Sequence, residues 1–501
     1  MGIYWSTFRK KYLTFVILSL VISGCTKKDM RIKALIPFDE SASTLDPANL
    51  QLADRYILMD NMVAKLVHIN SRGDYEWMLA NSFEVSDDGK IVKIQLNRAE
   101  FSDGSSIKAV DVASSLKRLV ILGSAHIPFK DFLFDAENLQ NIDQDFEGIT
   151  VISEYQLQLK LKRKTKELLY YFSLADSGVI HKSLLKTYPI KVEDWKVVSG
   201  AYLPKTNKRL EANPYFRWSD NKAPREVEII PAPQSGNSSL MNGIDIGTTE
   251  FLPKDSSKAL VPHGYDVINP SYNTLCYLVL NPSSEKFSDI RVRQKIASSI
   301  HAKLSIPTNG KFFKKANQFF LPDSFAFQKK FNPTSAIGIN EANITLPPEI
   351  TVLSTVGTRK FTFNELDLAL SKAIESNVKL AFEDKAPEFY ERKKLKNFDA
   401  YLVPTSMTYS VLTEALNILY MAPTQFGTNP NGKIKKLIHR YQEGIGDEES
   451  TISSIVNEMS AEAEIIPLFY VSTPDFYNTE TIDVSEMNTT ESLTFWKIRV
   501  K

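Results

Sequence analysis

The sequence lacks an excess of charge of either sign, because 60 Lys and Arg residues are matched by 59 Asp and Glu residues over 501 positions. Electrostatic binding to nucleic-acid phosphates needs a basic excess or a dense basic stripe. The balance therefore argues against nucleic acid as the main partner. Hydrophobic residues make up 43% and charged residues 24%, which is typical of a folded globular protein and excludes a wholly disordered chain.

The sequence also lacks the groupings that metal sites and common enzymes use. It contains no Gly-x-Ser-x-Gly nucleophile turn and no Gly-x-Gly-x-x-Gly dinucleotide turn, so acyl-hydrolase and dinucleotide functions have no support. Six histidines stand singly, and none is paired at the spacing of three to five that zinc sites use, so we predict no metal site. They are His68, His126, His181, His263, His301 and His439.

One segment imitates a phosphate-binding loop. Residues 427–433, with the sequence GTNPNGK, satisfy the first seven positions of that motif. Ile434 then stands where a Ser or Thr hydroxyl must coordinate magnesium, and Pro430 removes one backbone N–H from the cradle. We interpret the segment as a turn ahead of a helix that begins near Lys433.

Long hydrophobic runs are missing as well, but the N-terminus has the layout of a secretory signal peptide. Basic residues at 9–11 precede an uncharged stretch from Tyr12 to Ile22, about half of the roughly 20 residues that a membrane-spanning helix requires. The following VISGC, ending at Cys25, resembles the bacterial lipobox, in which the cysteine receives a diacylglyceryl group and becomes the mature N-terminus. We predict a signal peptide at 1–24 and membrane anchoring through lipid on Cys25. The alternative is a chance cysteine after an ordinary signal peptide.

Cysteine is scarce, since the chain has only two. If Cys25 is acylated, Cys276 is the single remaining thiol and an intramolecular disulfide is excluded. Its apolar neighbours from Leu275 to Leu280 favour a buried structural cysteine rather than a reactive one.

Local patterns predict a mixture of short strands and helices. Val92, Ile94 and Leu96 alternate with polar residues as in a half-buried strand. After a turn at 102–105, apolar residues recur at helical spacing up to about Gly123. A second alternating strand covers Tyr155, Leu157, Leu159 and Leu161, and a second helix begins near Arg291. This mixture without a fixed repeat predicts α/β layers and argues against a solenoid or propeller. Residues 322–348, rich in Pro, Asn and Ser, read as a long surface connection.

Ordered sequence blocks from about residue 44 to 470 resemble the oligopeptide-binding proteins of ABC importers, the family 5 extracellular solute-binding proteins. The most characteristic block is LNRAEFSDG at 96–104, followed by Ala109, Asp111, Val112, Ser115, Arg118 and Leu119. The other blocks are TLDP at 44–47, 66–73, LANSFE at 79–84, SGAY at 199–202, LEANPY at 210–215, Asp245 with Ile246, Asn281 with FSDIRVR at 287–293, FDA at 398–400 and IPL at 466–468.

The resemblance implies an α/β fold of the type II periplasmic-binding-protein class, with two lobes, a hinge and an additional small domain. It divides the chain into a lipidated N-terminus and tether, a first lobe made of three separate segments, the small domain and a second lobe. The implied boundaries are 25–43 for the lipidated terminus and tether, 44–68, 190–269 and 470–501 for lobe one, 69–189 for the small domain, and 270–469 for lobe two.

The resemblance also implies a function. Such receptors capture a peptide or other small polar solute between the lobes, close around it, and deliver it to the membrane permease of an importer. No covalent chemistry is needed, so we predict no enzyme activity, no catalytic residue and no cofactor. We expect a monomer in the periplasm or at the cell surface, anchored to a bacterial membrane by its lipid. The alternative is a signalling or scaffold lipoprotein that keeps the fold without transport.

The chain departs from the family where the peptide's ammonium group is normally bound. After FDA at 398–400 the peptide receptors carry a Trp, then an Asp followed by a Tyr; here Thr405 replaces the Trp, and Thr408 and Tyr409 occupy the last two positions. The charged anchor is missing, which leaves peptide and a neutral or sugar-like solute both open. The ligand-contacting positions that the resemblance implies are Ala53, Tyr272, Thr274, Thr408 and Tyr409. A lysine, Lys108, also stands at a helix-capping position where the family favours Thr.

Overall fold

The structure is a computed structural model that describes most of the chain from Met30 onward. The described residues are 30–36, 44–50, 53–70, 74–124, 127–165, 167–206, 208–231, 243–248, 264–268, 272–307, 313–322, 344–355, 362–383, 397–406, 432–443, 445–472, 475–487 and 493–501. Within these ranges, no helix combines the length and the apolar character needed to cross a bilayer.

Twenty-one strands lie in the described residues. They are β1 Arg31–Ile36, β2 Val67–Ile69, β3 Tyr75–Trp77, β4 Ala80–Val85, β5 Ile91–Leu96, β6 Ile149–Ser153, β7 Gln156–Lys160, β8 Tyr202–Thr206, β9 Arg209–Ala212, β10 Glu226–Pro231, β11 Ile246–Thr248, β12 Tyr265–Val267, β13 Tyr272–Leu280, β14 Phe313–Lys315, β15 Glu349–Thr355, β16 Asn377–Glu383, β17 Ala400–Ser406, β18 Ile465–Ser472, β19 Asp475–Asn478, β20 Ile482–Asp483 and β21 Arg499–Val500.

Eight α-helices accompany them in the same ranges. They are α1 Ala53–Met62, α2 Ala109–Leu122, α3 Phe129–Phe132, α4 Leu168–Tyr171, α5 Ile290–Lys303, α6 Leu366–Ile374, α7 Gly432–Glu443 and α8 Glu448–Glu462.

The strands assemble into three principal sheets. A seven-stranded sheet has the order β12-β19-β11-β1-β10-β9-β8, a six-stranded sheet the order β14-β18-β13-β17-β15-β16, and a four-stranded sheet the order β4-β5-β7-β6. Two short antiparallel pairs, β2-β3 and β20-β21, complete the described set. The predicted mixture of α/β layers is confirmed.

Side-chain periodicity accounts for the predicted elements. Along β5, Val92 and Ile94 are buried while Lys93 between them is exposed. Helix α2 buries the stripe of apolar residues that the sequence shows and ends at Gly123, whose φ of 88° suits glycine. The predicted strand around 155–161, the helix near Arg291 and the helix near Lys433 are present as β7, α5 and α7.

At the start of α2, where the family favours a capping Thr, a neighbouring carboxylate accepts a backbone hydrogen bond instead. Lys108 stands at the N-cap and its side chain makes no capping hydrogen bond, but its backbone N–H donates to the carboxylate of Asp111 at 2.8 Å. Asp111 lies in the first turn of the helix, where a negative charge interacts favourably with the helix dipole. The carboxylate therefore replaces part of the cap that a threonine would supply.

Strand β1 differs from the sequence interpretation. It lies within the segment 25–43 assigned to the lipidated terminus and tether, yet it is a central strand of the seven-stranded sheet, parallel to β10 and β11. Ile32, Ala34, Leu35 and Ile36 are all buried. The strand was not recognisable locally because its partners come almost 200 residues later in the chain.

The sheets use separate stretches of the chain. Strands of the four-stranded sheet fall between 80 and 160, and strands of the six-stranded sheet between 272 and 472. One hydrophobic cluster runs from residue 32 to residue 500 and joins the seven-stranded sheet to the four-stranded one. The six-stranded sheet has a cluster on each face, one covered by α7 and α8 and the other by α5 and α6.

Candidate functional site

Two neighbouring strand connections join the seven-stranded and six-stranded sheets. The first leads from β12 to β13 and the second from β18 to β19. On one side, Val267 pairs with Phe476 and the Ile268 N–H donates to the Asp475 carbonyl at 2.9 Å. On the other side, Tyr272 pairs with Ser472. We name this pair of connections the crossover.

Tyr272 lies directly at the crossover and is half-buried. Its ring centroid is 6.5 Å from that of Tyr470, and the ammonium nitrogen of Lys314 lies 5.7 Å from the Tyr272 centroid. Burial raises the pKa of the Tyr272 hydroxyl, so the side chain is a neutral donor or acceptor at neutral pH. An aromatic face beside a cation and a hydroxyl suits a polar organic molecule.

Thr274 lies two residues further along β13 and is completely buried. It pairs with Val471 on one side and with Ser406 on the other. The structure therefore brings the end of β17 next to the crossover. Thr408 and Tyr409, two of the predicted ligand positions, follow that strand end but lie outside the described residues, as does Cys25.

Ala53, the remaining predicted position, is the first residue of α1. This helix belongs to the part of the chain that packs around the seven-stranded sheet, whereas Tyr272 and Thr274 belong to the six-stranded one. The predicted ligand positions thus lie on both sides of the crossover. Among the described ones, Tyr272 and Thr274 lie together on β13, and Ala53 lies on the side of the seven-stranded sheet.

Two features of this region escaped the sequence analysis. The hydroxyl of Ser472 is buried without a hydrogen-bond partner among the described residues, and that of Tyr277 lies 3.0 Å from the hydroxyl of Thr405. Ser472 closes the apolar run of β18, so its sequence context is typical of core. Pairing with Tyr272 across the sheet is a tertiary relationship that no local pattern signals.

The signature residues of the sequence build the frame around the crossover. Asp399 accepts hydrogen bonds from the Thr351 backbone and hydroxyl, both at 2.8 Å, and from Lys286 at 2.7 Å. Burial alone would raise the pKa of Asp399, but these bonds hold it below its ordinary value. Asp399 therefore stays ionised and ties the start of β17 to β15.

Gly200 and Ser199 have a comparable role beside α1. A Cβ atom at Gly200 would lie 2.3 Å from the Met62 carbonyl carbon, so only glycine lets the two backbones approach. The Ser199 hydroxyl accepts from the Ala64 N–H at 2.8 Å and donates to the Val179 carbonyl at 2.5 Å. These residues join the end of α1 to the chain ahead of β8.

Titratable groups do not gather into a metal-binding arrangement in the described part of the chain, where no group of three His, Cys, Asp or Glu side chains could hold an ion. Burial, with the nearby Lys315 charge, lowers the pKa of His301 on α5. Burial and Lys65 together lower the pKa of His68 to about 3. Cys276 is buried, as predicted.

Comparison with known proteins gives a family and a set of similar folds. The sequence profile of bacterial extracellular solute-binding proteins, family 5 Middle, matches residues 74–424. No curated protein sequence matches the chain.

Solved structures share the fold at low sequence identity. A periplasmic oligopeptide-binding protein of Borrelia burgdorferi, OppAIV, has a TM-score of 0.74 and 18% identity, covering 94% of this chain and 100% of its own. OppA of Haemophilus influenzae in complex with RPPGFSPFR has a TM-score of 0.73 and 14% identity, with coverage of 95% and 99%. NikZ of Campylobacter jejuni in complex with Ni(L-His) has a TM-score of 0.72 and 14% identity, with coverage of 94% and 99%. The resemblance and the fold class predicted from the sequence are confirmed.

Proposed function

The chain belongs to the family 5 bacterial extracellular solute-binding proteins, and we propose that it is the lipid-anchored substrate-binding receptor of an ABC importer. In this proposal it captures a peptide or other small polar solute without chemical change and passes it to the membrane permease. The observation that carries the proposal is the crossover: two adjacent strand connections link two sheets, so the sheets can close on a solute by bending at one place.

Closure supplies the signal in this scheme. A solute that contacts both lobes binds the closed form more tightly than the open form, and the population shifts toward the closed form by that difference in affinity. The permease then needs to recognise only the closed shape. We propose Ala53, Tyr272, Thr274, Thr408 and Tyr409 as the solute-contacting positions. We also propose the lobe boundaries that the resemblance implies, with lobe one extended to include β1.

The solute class rests on two considerations. Similar structures hold a peptide, RPPGFSPFR, or a small complex, Ni(L-His), so the shared fold accepts more than one kind of solute. In this chain Thr408 stands where the resemblance predicts an ammonium-binding Asp. We infer that any bound peptide is held by its backbone and by neutral hydrogen bonds rather than by a charge at its amino group.

The first experiment is a thermal-shift screen of the mature chain carrying Cys25→Ser, against peptide pools, amino acids, sugars and chelated metal ions. A solute present at about 100 times its dissociation constant stabilises the native state by roughly 2.7 kcal/mol, which is a clear shift. We expect a peptide hit to keep its affinity when its amino group is acetylated. A large loss on acetylation would mean that a charged anchor exists elsewhere.

A matched pair of variants locates the site. Tyr272→Ala should weaken a hit at least tenfold, because it removes the aromatic face at the crossover. Tyr215→Ala removes an exposed tyrosine of the first lobe and should leave affinity unchanged. If no pool shifts the melting temperature of the folded protein, the receptor proposal fails and a signalling or scaffold lipoprotein becomes the better interpretation.

A further inference from the structure

The chain between the predicted lipidation site and the folded body is short. Strand β1 begins at Arg31, six positions after Cys25. A fully extended chain advances by at most about 3.6 Å per residue, so Met30 can lie no more than about 20 Å from the acylated cysteine. A tether that ends at residue 43, as the resemblance implies, would allow about three times that reach.

Strand β1 cannot release residues to lengthen this tether without disrupting the fold. It is hydrogen-bonded on both sides, to β10 and to β11, and pairs with β10 along its whole length from Arg31 to Ile36. Ile32 and Ala34 are 1% and 0% exposed. Pulling the strand out would expose this core and break two ladders, so the anchoring point is fixed in the middle of the sheet.

A defined surface surrounds the anchoring point. The Arg225 N–H donates to the Met30 carbonyl at 2.7 Å, and the Val500 N–H donates to the Lys222 carbonyl at 2.9 Å. Arg31 forms an ion pair with Glu226 at 2.9 Å. We name Met30, Arg31, Lys222, Arg225 and Glu226 the entry edge; the side chains of Lys222 and Arg225 are exposed there.

We propose that the entry edge is the surface by which this protein faces the membrane, with the headgroups of anionic phospholipids as its partner. The inference rests on the proposed acylation of Cys25. A compact body of this length has a radius of gyration of about 23 Å, which is no shorter than the tether, so the body cannot turn an arbitrary face to the lipid. The orientation is therefore set by where β1 enters the sheet.

Charge at the entry edge is compatible with this partner. Glu226 is neutralised by two arginines, since Arg209 also reaches its carboxylate at 2.5 Å. Asp220, beside Lys222, is paired with Arg499 at 2.8 Å. Lys222 and Arg225 thus add positive charge toward the headgroups. These charges assist the contact, but the tether length determines it.

Energy transfer from the protein to labelled lipid tests the orientation. The acylated chain is bound to vesicles of phosphatidylethanolamine and phosphatidylglycerol that carry an acceptor dye on the headgroups, and a donor is placed on Lys222→Cys. The matched control is Lys208→Cys, just ahead of β9 and at the end of that strand away from Arg225. The Ala212 N–H at the other end donates to the Arg225 carbonyl, whereas the Ile229 N–H donates to the Lys208 carbonyl. Mass spectrometry of the N-terminal peptide verifies acylation of Cys25, and that of the peptide containing Cys276 verifies that this buried thiol is unlabelled.

We expect at least twofold more transfer from position 222 than from position 208. Inserting 20 Gly and Ser residues after Thr26 should at least halve the transfer from position 222, because such a linker adds a mean span of about 25 Å. Equal transfer from both positions, or no effect of the insertion on the acylated protein, would overturn the orientation while leaving the receptor function intact. A chain that carries no lipid on Cys25 would instead overturn the anchor itself, and the inference with it.

Discussion

Asp46 and Arg118 form a buried, two-point ion pair across 72 residues of sequence, with N–O distances of 2.8 and 2.7 Å. Their side chains are 0% and 3% exposed. Asp46 also accepts from the backbone N–H groups of Ala48 and Ile190, both at 2.9 Å, while Arg118 donates to the Thr187 carbonyl at 2.6 Å. The pair therefore joins the chain ahead of α1, helix α2 and the chain ahead of β8.

Removing one partner of this pair should be costly. Arg118→Met leaves the Asp46 carboxylate buried without its cation, and we expect a loss of about 3 to 5 kcal/mol in the free energy of unfolding. The control is Lys186→Ala, which breaks the exposed ion pair with Asp143 and should cost no more than about 1 kcal/mol. Urea denaturation of both variants makes the comparison. Equal losses of unfolding free energy in the two variants would show that the buried pair stabilises the fold no more than an exposed one does.

Two glycines should respond to alanine in opposite directions. At Gly200 the added methyl group meets the backbone of Met62 and Val63 at 2.3 and 2.4 Å, so Gly200→Ala should destabilise the protein by about 2 to 3 kcal/mol. At Gly432, the first residue of α7, no atom of the described residues lies within 4 Å of the new atom, and alanine favours the helix by up to about 1 kcal/mol. The melting temperature should fall for Gly200→Ala and rise for Gly432→Ala. A rise for both would contradict the close approach of the backbones at Gly200.

Two buried serines offer a similar contrast. The Ser199 hydroxyl has two hydrogen-bond partners, so Ser199→Ala should cost about 1 to 3 kcal/mol by leaving the Ala64 N–H unpaired. The Ser472 hydroxyl has none among the described residues, so Ser472→Ala should be neutral or stabilise by up to about 1 kcal/mol. Chemical denaturation distinguishes them. A cost at Ser472 as large as that at Ser199 would mean that its hydroxyl is bonded.

His68 should contribute to acid sensitivity. Burial and the neighbouring Lys65 charge lower the pKa of His68 to about 3 in the folded chain, against about 6.5 when unfolded. Between these values the unfolded state binds more protons, so the free energy of unfolding falls as the pH drops from 6.5 toward 3. His68→Phe keeps a ring against Trp496 but cannot titrate. At pH 4 the free energy of unfolding of this variant should therefore have fallen less than that of the unmodified protein, by up to about 3 kcal/mol.

The control for this pH dependence is His439→Gln on the exposed side of α7. This variant measures the change that the loss of an exposed histidine alone makes between pH 7 and pH 4. The measurement is denaturant unfolding at pH 7, 6, 5 and 4 for all three proteins. If the stability curve of His68→Phe runs parallel to that of the unmodified protein, His68 is not buried as a neutral imidazole.

The sequence by itself determined the family, the α/β class and the elements whose side chains have a clear period. Apolar residues alternate along the strands β5 and β7, because a strand places every second residue on one face. They recur at helical spacing along α2 and α5, because a helix places every third to fourth residue on one face. The burial of Cys276 follows from its apolar neighbours in the same way.

Tertiary structure decided what depends on distant pairing. Strand β1 lies in a segment taken as tether, since its ladders to β10 and β11 form only when residues far apart in the sequence meet. The ion pair of Asp46 with Arg118 and the pairing of Tyr272 with Ser472 arise for the same reason. Local periodicity reports which face of a segment is buried, but not which segment covers it.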